Sequence, residues 1–377
     1  MKIAFIITNK SRFNLAYYNN QEFGRGKALV DLGFDIDIFF YDRKKSNVFI
    51  LYENKGKVLR LIPYKGIPIM GNQTIPFGLK KKIKKDKYSI AHIHEYPWIL
   101  PYIIAPFLRK RKIKTILIQG MYENFNGIMK SLYNIFYDLI LLPVLKKNLD
   151  GVIYKTQLAQ DYFYSKGMSH IPSEVIPVGL DTTVFYNQTV CPLDNKMELK
   201  LRRFKKRLLY IGVIEKRRNP FFLIDIVEKL VHQDDEYCLV MVGEGPLRSS
   251  LVSYIEEKNL KDHVFMIRKL RQNQLPWIYK NTHMFLLPSL YEIFGMVLLE
   301  SIFFEQAILS SPTAGAKEIL KSYENGFISD INIENWLNII SQYFKRVESS
   351  TSKTEFPARF EWNNIGLEFI SFYKRLF

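Results

Sequence analysis

Short apolar runs recur along the chain, each closed by a glycine, a proline or a cluster of charge, and they predict strands alternating with helices. KIAFIIT, residues 2–8, reads as a buried strand. Residues 26–40, GKALVDLGFDIDIFF, read as the end of a helix, a stop at Gly33 and a second strand. Strand, helix, strand in that order predicts a parallel, doubly wound sheet. Asp35 and Asp37 alternate with Ile36 and Ile38, so this Asp-x-Asp triplet is expected to belong to a two-faced strand and not to a metal site. Further strands are expected at Tyr88–Trp98, which runs into a loop, at Lys114–Gly120 and at Gly151–Thr156, and Ser173–Phe185 closes a first domain.

A second series begins near Arg207. Leu208–Ile214 (LLYIGVI) is a strand, Glu215–Pro220 (EKRRNP) a basic turn, and Phe221–Leu230 a helix. Leu239–Gly245 (LVMVGEG) is a strand ending in a Gly-x-Gly turn, whose glycines allow close backbone approach to a ligand or serve only a tight turn. Val264–Ile267 and Met284–Leu287 are strands, and Leu275–Lys280 is a short helix. Phe136–Leu145 is apolar and part of a helical pattern, and the tail Phe360–Phe377 is amphipathic at helical spacing. The fold class is α/β, with expected bounds of 1–185 and 207–358 for two Rossmann-like domains, 186–206 for a linker and 359–377 for a C-terminal helix. Ligands of open α/β sheets bind outside the carboxyl ends of the strands, which makes His94, Glu95, Gln119 and Gly120 candidate site residues. His94 reads equally well as a packing residue at a strand end, and His92 is expected to pack.

Length and composition narrow the class. The chain has 377 residues, of which 47% are hydrophobic, enough for two domains with substantial cores. Cys191 and Cys238 are far apart and form no metal or disulfide pattern, which fits a reducing cytosol. The N-terminal run is too short for a signal peptide, and the apolar run Pro97–Leu108 is broken by prolines and falls short of the ~20 residues of a spanning helix. The net charge of +17 implies an anionic partner: nucleic acid, an acidic bilayer or a phosphorylated ligand. The charge gathers in KKKIKKDK (80–87, six lysines), RKRKIK (109–114) and LRRFKKR (201–207). None of these is interleaved with aromatics on a nucleic-acid module, which argues against nucleic acid.

The richest chemistry lies in PSLYEIFGMVLLES, residues 288–301. Glu292 precedes Phe294 and Gly295, an apolar helical run follows from Met296, and Glu300 stands eight residues after Glu292. With the helix starting near Gly295, Glu292 lies just ahead of its N-terminus and Glu300 more than a turn inside. The free N–H groups near Gly295 and Met296 favour an anion, a phosphate above all. A surface glutamate before an amphipathic helix carrying a second one has the same spacing.

The Glu pair with Pro-Ser ahead of it and Phe-Gly inside it resembles the signature of retaining glycosyltransferases of the GT-B fold, the GT4-like group. VIPVGLD (175–181) with Phe185 resembles that family's inter-domain junction, and the likeness runs from Met1 to Phe377. It implies two Rossmann-like domains facing a cleft, acceptors on the first, a nucleotide-sugar on the second, and a C-terminal helix returning to the first. It places Glu300 on the ribose diol and Glu292 at the donor sugar. Counting from Gly212 puts Arg218 where the family has a diphosphate-binding lysine and Asn219 where it has glycine, with Lys216 and Arg217 beside them. Arg268 and Leu270 fall on the nucleobase-contacting loop, with Arg268 replacing a glycine. Other departures are Val213 where a second cation is frequent, Gln119 near a frequent histidine, no double glycine in KSRFNLAYYNN (10–20), and FFEQAIL after the Glu pair where small-Gly-x-Pro is usual. No credible metal set appears, so the diphosphate is expected to be met by fixed cations, with no metal or other cofactor. The expectation is a cytoplasmic, retaining hexosyltransferase for polysaccharide biosynthesis, moving sugar from a nucleotide-sugar to a lipid-linked or cell-surface glycan. The basic clusters of the first domain suggest peripheral contact with an anionic membrane. A nucleotide-sugar isomerase or epimerase and a catalytically silent partner subunit are the alternatives.

Overall fold

A computed structural model describes residues 1–7, 20–42, 47–68, 74–94, 99–124, 134–186, 195–347 and 356–377. Glu95, Trp98, Cys191, nearly all of 10–20 and most of the Ser/Thr-rich stretch before the tail lie outside them. The chain divides into two compact units. The first joins the N-terminal strand to Asn20–Gly179 and Arg359–Phe377, and the second is Leu180–Ala358.

The first unit is built on strands β1 (Lys2–Ile6), β2 (Asp35–Tyr41), β3 (Phe49–Asn54), β4 (Lys57–Pro68), β5 (Thr74–Phe77), β6 (Ile90–His94), β7 (Lys114–Gln119), β8 (Gly151–Tyr154) and β9 (Ser173–Val175). Their order is β3-β4-β2-β1-β6-β7-β8-β9, with β5 paired to β4. Every pairing from β4 to β9 through β2 and β1 is parallel, as the strand–helix–strand pattern implies. The antiparallel β3–β4 hairpin is not foreseen by the sequence pattern. Its tip is Lys55–Gly56, with φ of 47° and 74°, a geometry that two-residue hairpins favour.

On one face, Ile104, Leu108, Leu142 and Phe163 of the crossover helices bury against Ala4, Ile93, Leu117 and Val152 of the strands. The C-terminal helix Trp362–Lys374 and the helix Gln21–Asp31 cover the other. His92 stacks on Phe5 (4.8 Å) and meets the Tyr373 hydroxyl at 2.8 Å, so it packs as expected. Gly24 makes room for Trp362: a Cβ there would fall 2.1 Å from the indole Nε1. Asp37 is fully buried. Burial pushes its carboxyl upward, but hydrogen bonds from Arg60 (2.7 Å), Tyr88 (2.5 Å) and Lys2 outweigh this and hold it below the ordinary value.

The second unit has β10 (Lys206–Ile211), β11 (Tyr237–Val242), β12 (Val264–Ile267), β13 (Met284–Leu287), β14 (Ala307–Ser310) and β15 (Gly326–Ile328), all parallel, in the order β12-β11-β10-β13-β14-β15. This is the 3-2-1-4-5-6 order of a dinucleotide-type sheet, with its switch point between β10 and β13, where ligand crevices form. Trp336 of the helix Ile333–Val347 packs edge-on against Phe222 at 5.1 Å beneath the sheet. Among the described residues, no helix is long and apolar enough to cross a membrane.

Candidate functional site

The loops after β10 and β13, on either side of the switch point, are stitched together by the predicted cations. Lys216–Arg218 form one 3-10 turn. The Leu290 amide donates to the Arg217 carbonyl (2.9 Å), and the Arg217 side chain donates to the Tyr291 carbonyl (2.7 Å) and to Glu215 (2.9 Å). Arg218 donates to the Ser289 hydroxyl at 3.3 Å and forms a close ion pair with Glu292. Glu292 also lies 3.6 Å from Arg217. Lys216 is exposed. Asn219 ends the turn at φ 51°, ψ 50°, and precedes the helix Pro220–Gln233. That left-handed conformation is what a glycine serves, and asparagine tolerates it better than other side chains.

The helix Met296–Phe303 starts from Gly295 at φ 79°, with no side chain capping it. Phe294 is buried, and a Cβ on Gly315 would sit 1.9 Å from the Phe294 carbonyl oxygen. The segment at Thr313, whose hydroxyl accepts from Ala316 N, therefore backs the Glu292–Gly295 loop. Sequence reading missed Gly315; its only signal was a glycine one residue after a capping threonine and an alanine. At the helix's far end, Glu305 takes φ 57° in the FFEQAIL stretch, so the turn is kept without a glycine.

Glu300 sits on this helix, 6% exposed, and accepts a hydrogen bond from the Tyr279 hydroxyl at 3.1 Å. Tyr279 in turn stacks on Phe304 at 4.8 Å. Burial pushes the Glu300 carboxyl up to about 7, with the Tyr279 hydrogen bond opposing the rise. Among the described residues, no hydrogen bond or ion pair joins Glu300 to Arg217 or Arg218. The structure thus brings Glu292 and the two arginines into contact and leaves Glu300 with Tyr279.

The glycine turn after β11 packs closely on the loop after β10. A Cβ on Gly243 would lie 1.9 Å from the Gly212 carbonyl oxygen, and one on Gly245 within 2.7 Å of the Ile214 backbone. These glycines let the β11 loop press on the β10 loop, so the close approach is to their own chain. Arg268 extends into solvent, 3.7 Å from Glu244, with Leu270 half-buried beyond it.

In the first unit, His94 and Gln119 end the adjacent strands β6 and β7, and Gly120 follows buried. The His94 ring meets Arg25 at 3.0 Å and Glu22 at 3.7 Å. Burial, then Arg25, hold it well below the ordinary imidazole range, so it is neutral. Gln119 donates to the Met121 carbonyl at 3.2 Å. Arg25 and Glu22, one turn apart on a helix, escaped the sequence reading because charged residues on a helix carry no distinguishing signal.

Comparison with known proteins defines the class. Residues 194–354 match the family described as Glycosyl transferases group 1. The second unit carries this match, and the two Rossmann-like units are those of the GT-B fold. It is 24% identical over 176 residues to an uncharacterized glycosyltransferase of Methanocaldococcus jannaschii, covering 45% of each chain. It is 23% identical over 272 residues to an Escherichia coli UDP-Gal:alpha-D-GlcNAc-diphosphoundecaprenol alpha-1,3-galactosyltransferase, covering 70% of this chain and 68% of that one. The match thus spans less than half the length of the first relative and about two thirds of the second. In structure it is similar to the Anabaena protein HepE in complex with UDP, with a TM-score of 0.75 and 14% identity over the whole of both chains.

Proposed function

We propose that this protein is a retaining glycosyltransferase, independent of metal, that moves a hexosyl unit from a nucleotide-sugar to a lipid-linked or cell-surface glycan at the cytoplasmic side of the membrane. The observation that carries the reading is the gathering of Arg217, Arg218 and Glu292 at the switch point, beside the uncapped helix start at Gly295. Breaking the bond between the anomeric carbon and the diphosphate builds charge on the departing phosphate oxygen. Arg218, a planar fork suited to phosphate, and the amides at Gly295 and Met296 supply fixed positive charge for it. Glu292 is paired with Arg218. An arriving diphosphate competes for that arginine and frees the carboxylate to turn toward the sugar's hydroxyls. Glu300 then holds the ribose diol, and the acceptor hydroxyl bonds to the face of the anomeric carbon that the phosphate leaves. The acceptor class is supported by the diphosphoundecaprenol-linked substrate in the name of the E. coli relative.

A thermal-shift screen against UDP-, GDP-, ADP- and CMP-sugars tests the donor, because a ligand of the native state raises the melting temperature. The stabilising donor is then used for transfer to a lipid-linked glycan, with product configuration read by NMR. Arg218→Ala is expected to abolish the shift, and Glu292→Ala to keep it while losing turnover. No shift with any donor, or wild-type transfer by both variants, refutes the assignment. Sugar rearranged without an acceptor would point to an isomerase instead.

A further inference from the structure

The helical segment 134–148 of the first unit is apolar on two sides. Inward, Tyr137, Leu142 and Leu145 join the core. Outward, Ile135, Phe136, Leu139 and Ile140 are 54%, 50%, 69% and 57% exposed. The π-helical stretch Tyr137–Leu141 lengthens the turn, which keeps the pair 135/136 on the same side as 139/140. A helix that is apolar all round normally has protein or lipid on every side, and here the outer side faces solvent.

Basic side chains gather near this patch. The helices Leu79–Lys84, Ile99–Lys110 and Leu142–Asn148 each lead into a parallel strand, so their last turns end at one edge of the sheet. Those turns carry Lys84, Arg109, Lys110, Lys146 and Lys147. The Arg109 guanidinium donates to the Lys147 carbonyl, which fixes two of the turns side by side. Neither 99–114 nor 139–149 contains an acidic residue, and Asp138 is paired with Lys166 at 2.5 Å. Lys147 stands about 10 Å along the axis from Ile140.

We propose that this face is an interfacial membrane contact, in which Ile135, Phe136, Leu139 and Ile140 enter the acyl boundary and the basic turns hold anionic headgroups. A second copy of the chain fits less well, because its segments 99–114 and 139–149 offer no acidic residue to meet these cations. The patch lies toward the edge of the sheet at which His94 and Gln119 end and the basic turns toward the other edge, so the segment 134–148 would lie along the bilayer with its apolar half on the side of those two residues. A bilayer there presents a lipid-borne acceptor to those residues; that consequence rests on the proposed function, while the membrane contact does not.

The test is flotation of the full-length protein, without donor or acceptor, on phosphatidylcholine vesicles with and without phosphatidylglycerol at low and high salt. Wild type is expected to float with the anionic vesicles at low salt and to be released at high salt. Leu139→Gln/Ile140→Gln lowers the bound fraction about tenfold or more with an unchanged melting temperature, since both side chains are already solvated. Lys146→Gln/Lys147→Gln weakens only the phosphatidylglycerol-dependent part. Failure of wild type to float, or flotation of the Leu139/Ile140 variant like wild type, overturns the proposal. So does a wild-type dimer that the Leu139/Ile140 variant dissociates, which would assign the face to a second copy. No arm uses a nucleotide-sugar, so a failure here leaves the transfer reading standing.

Discussion

Replacing Glu300 by glutamine should make the protein more stable at high pH and less able to hold a donor. Burial raises this carboxyl from the ordinary 4.5 to about 7. Below pH 4.5 the group is protonated in both folded and unfolded chains and contributes nothing to pH dependence. As the pH rises, the unfolded chain ionises first and is favoured, and the cost stops growing once the folded carboxyl ionises near 7. At about 1.4 kcal/mol for each pH unit between the two values, the full cost is about 3 kcal/mol. Between pH 5 and pH 8 about 2–3 kcal/mol of it develops. Glutamine carries no charge and keeps an acceptor for the Tyr279 hydroxyl. Urea denaturation of both proteins at the two pH values reads the difference, with the pH dependence common to both cancelling. The Glu300→Gln advantage should grow by about 2–3 kcal/mol from pH 5 to pH 8. A constant offset between the two proteins would refute the claim that burial of this carboxyl dominates its ionisation. For the donor, two ribose hydroxyls donating to the carboxylate favour its ionised form, so affinity should rise with pH through about 7 in wild type and stay flat in the variant.

Two further changes probe the loops. Gly315→Ala, whose new Cβ would meet the Phe294 carbonyl, should cost about 1–3 kcal/mol in urea unfolding and lower kcat by displacing the Glu292–Gly295 loop. Asn219→Gly should be nearly neutral, whereas Asn219→Val should cost about 1–2 kcal/mol because a branched side chain resists the left-handed turn; equal denaturation midpoints would count against that role.

Val264–Ile267 and Met284–Leu287 were legible because each is an uninterrupted apolar run, and both strands have the bounds that the sequence predicts, as does the short helix Leu275–Lys280. The β3–β4 hairpin was not, because its turn carries Lys55 where asparagine or aspartate usually announces left-handed geometry. Asp37 shows a second limit. Alternation placed it on a strand, but its burial depends on Lys2, Arg60 and Tyr88, which only the folded sheet brings to it. At the site, the motif singled out Glu292 and Glu300, yet the Glu292 pairing with Arg218 spans 74 residues and has no local signal. For Gly243 and Gly245 the sequence left a tight turn and a ligand contact open, because glycine marks close approach without saying of what.

The C-terminal helix has a consequence for how the chain matures. Trp362 and Tyr373 cap a sheet whose first strand is Lys2–Ile6, and the whole of the second unit is translated between them. During synthesis the first unit waits without Phe369 and Tyr373, which pack on His92, until residues past 360 leave the ribosome, while the second unit can already have folded. A helix made after the second unit thus completes the body begun before it, and a chaperone that shields that half-finished surface would have its longest task there.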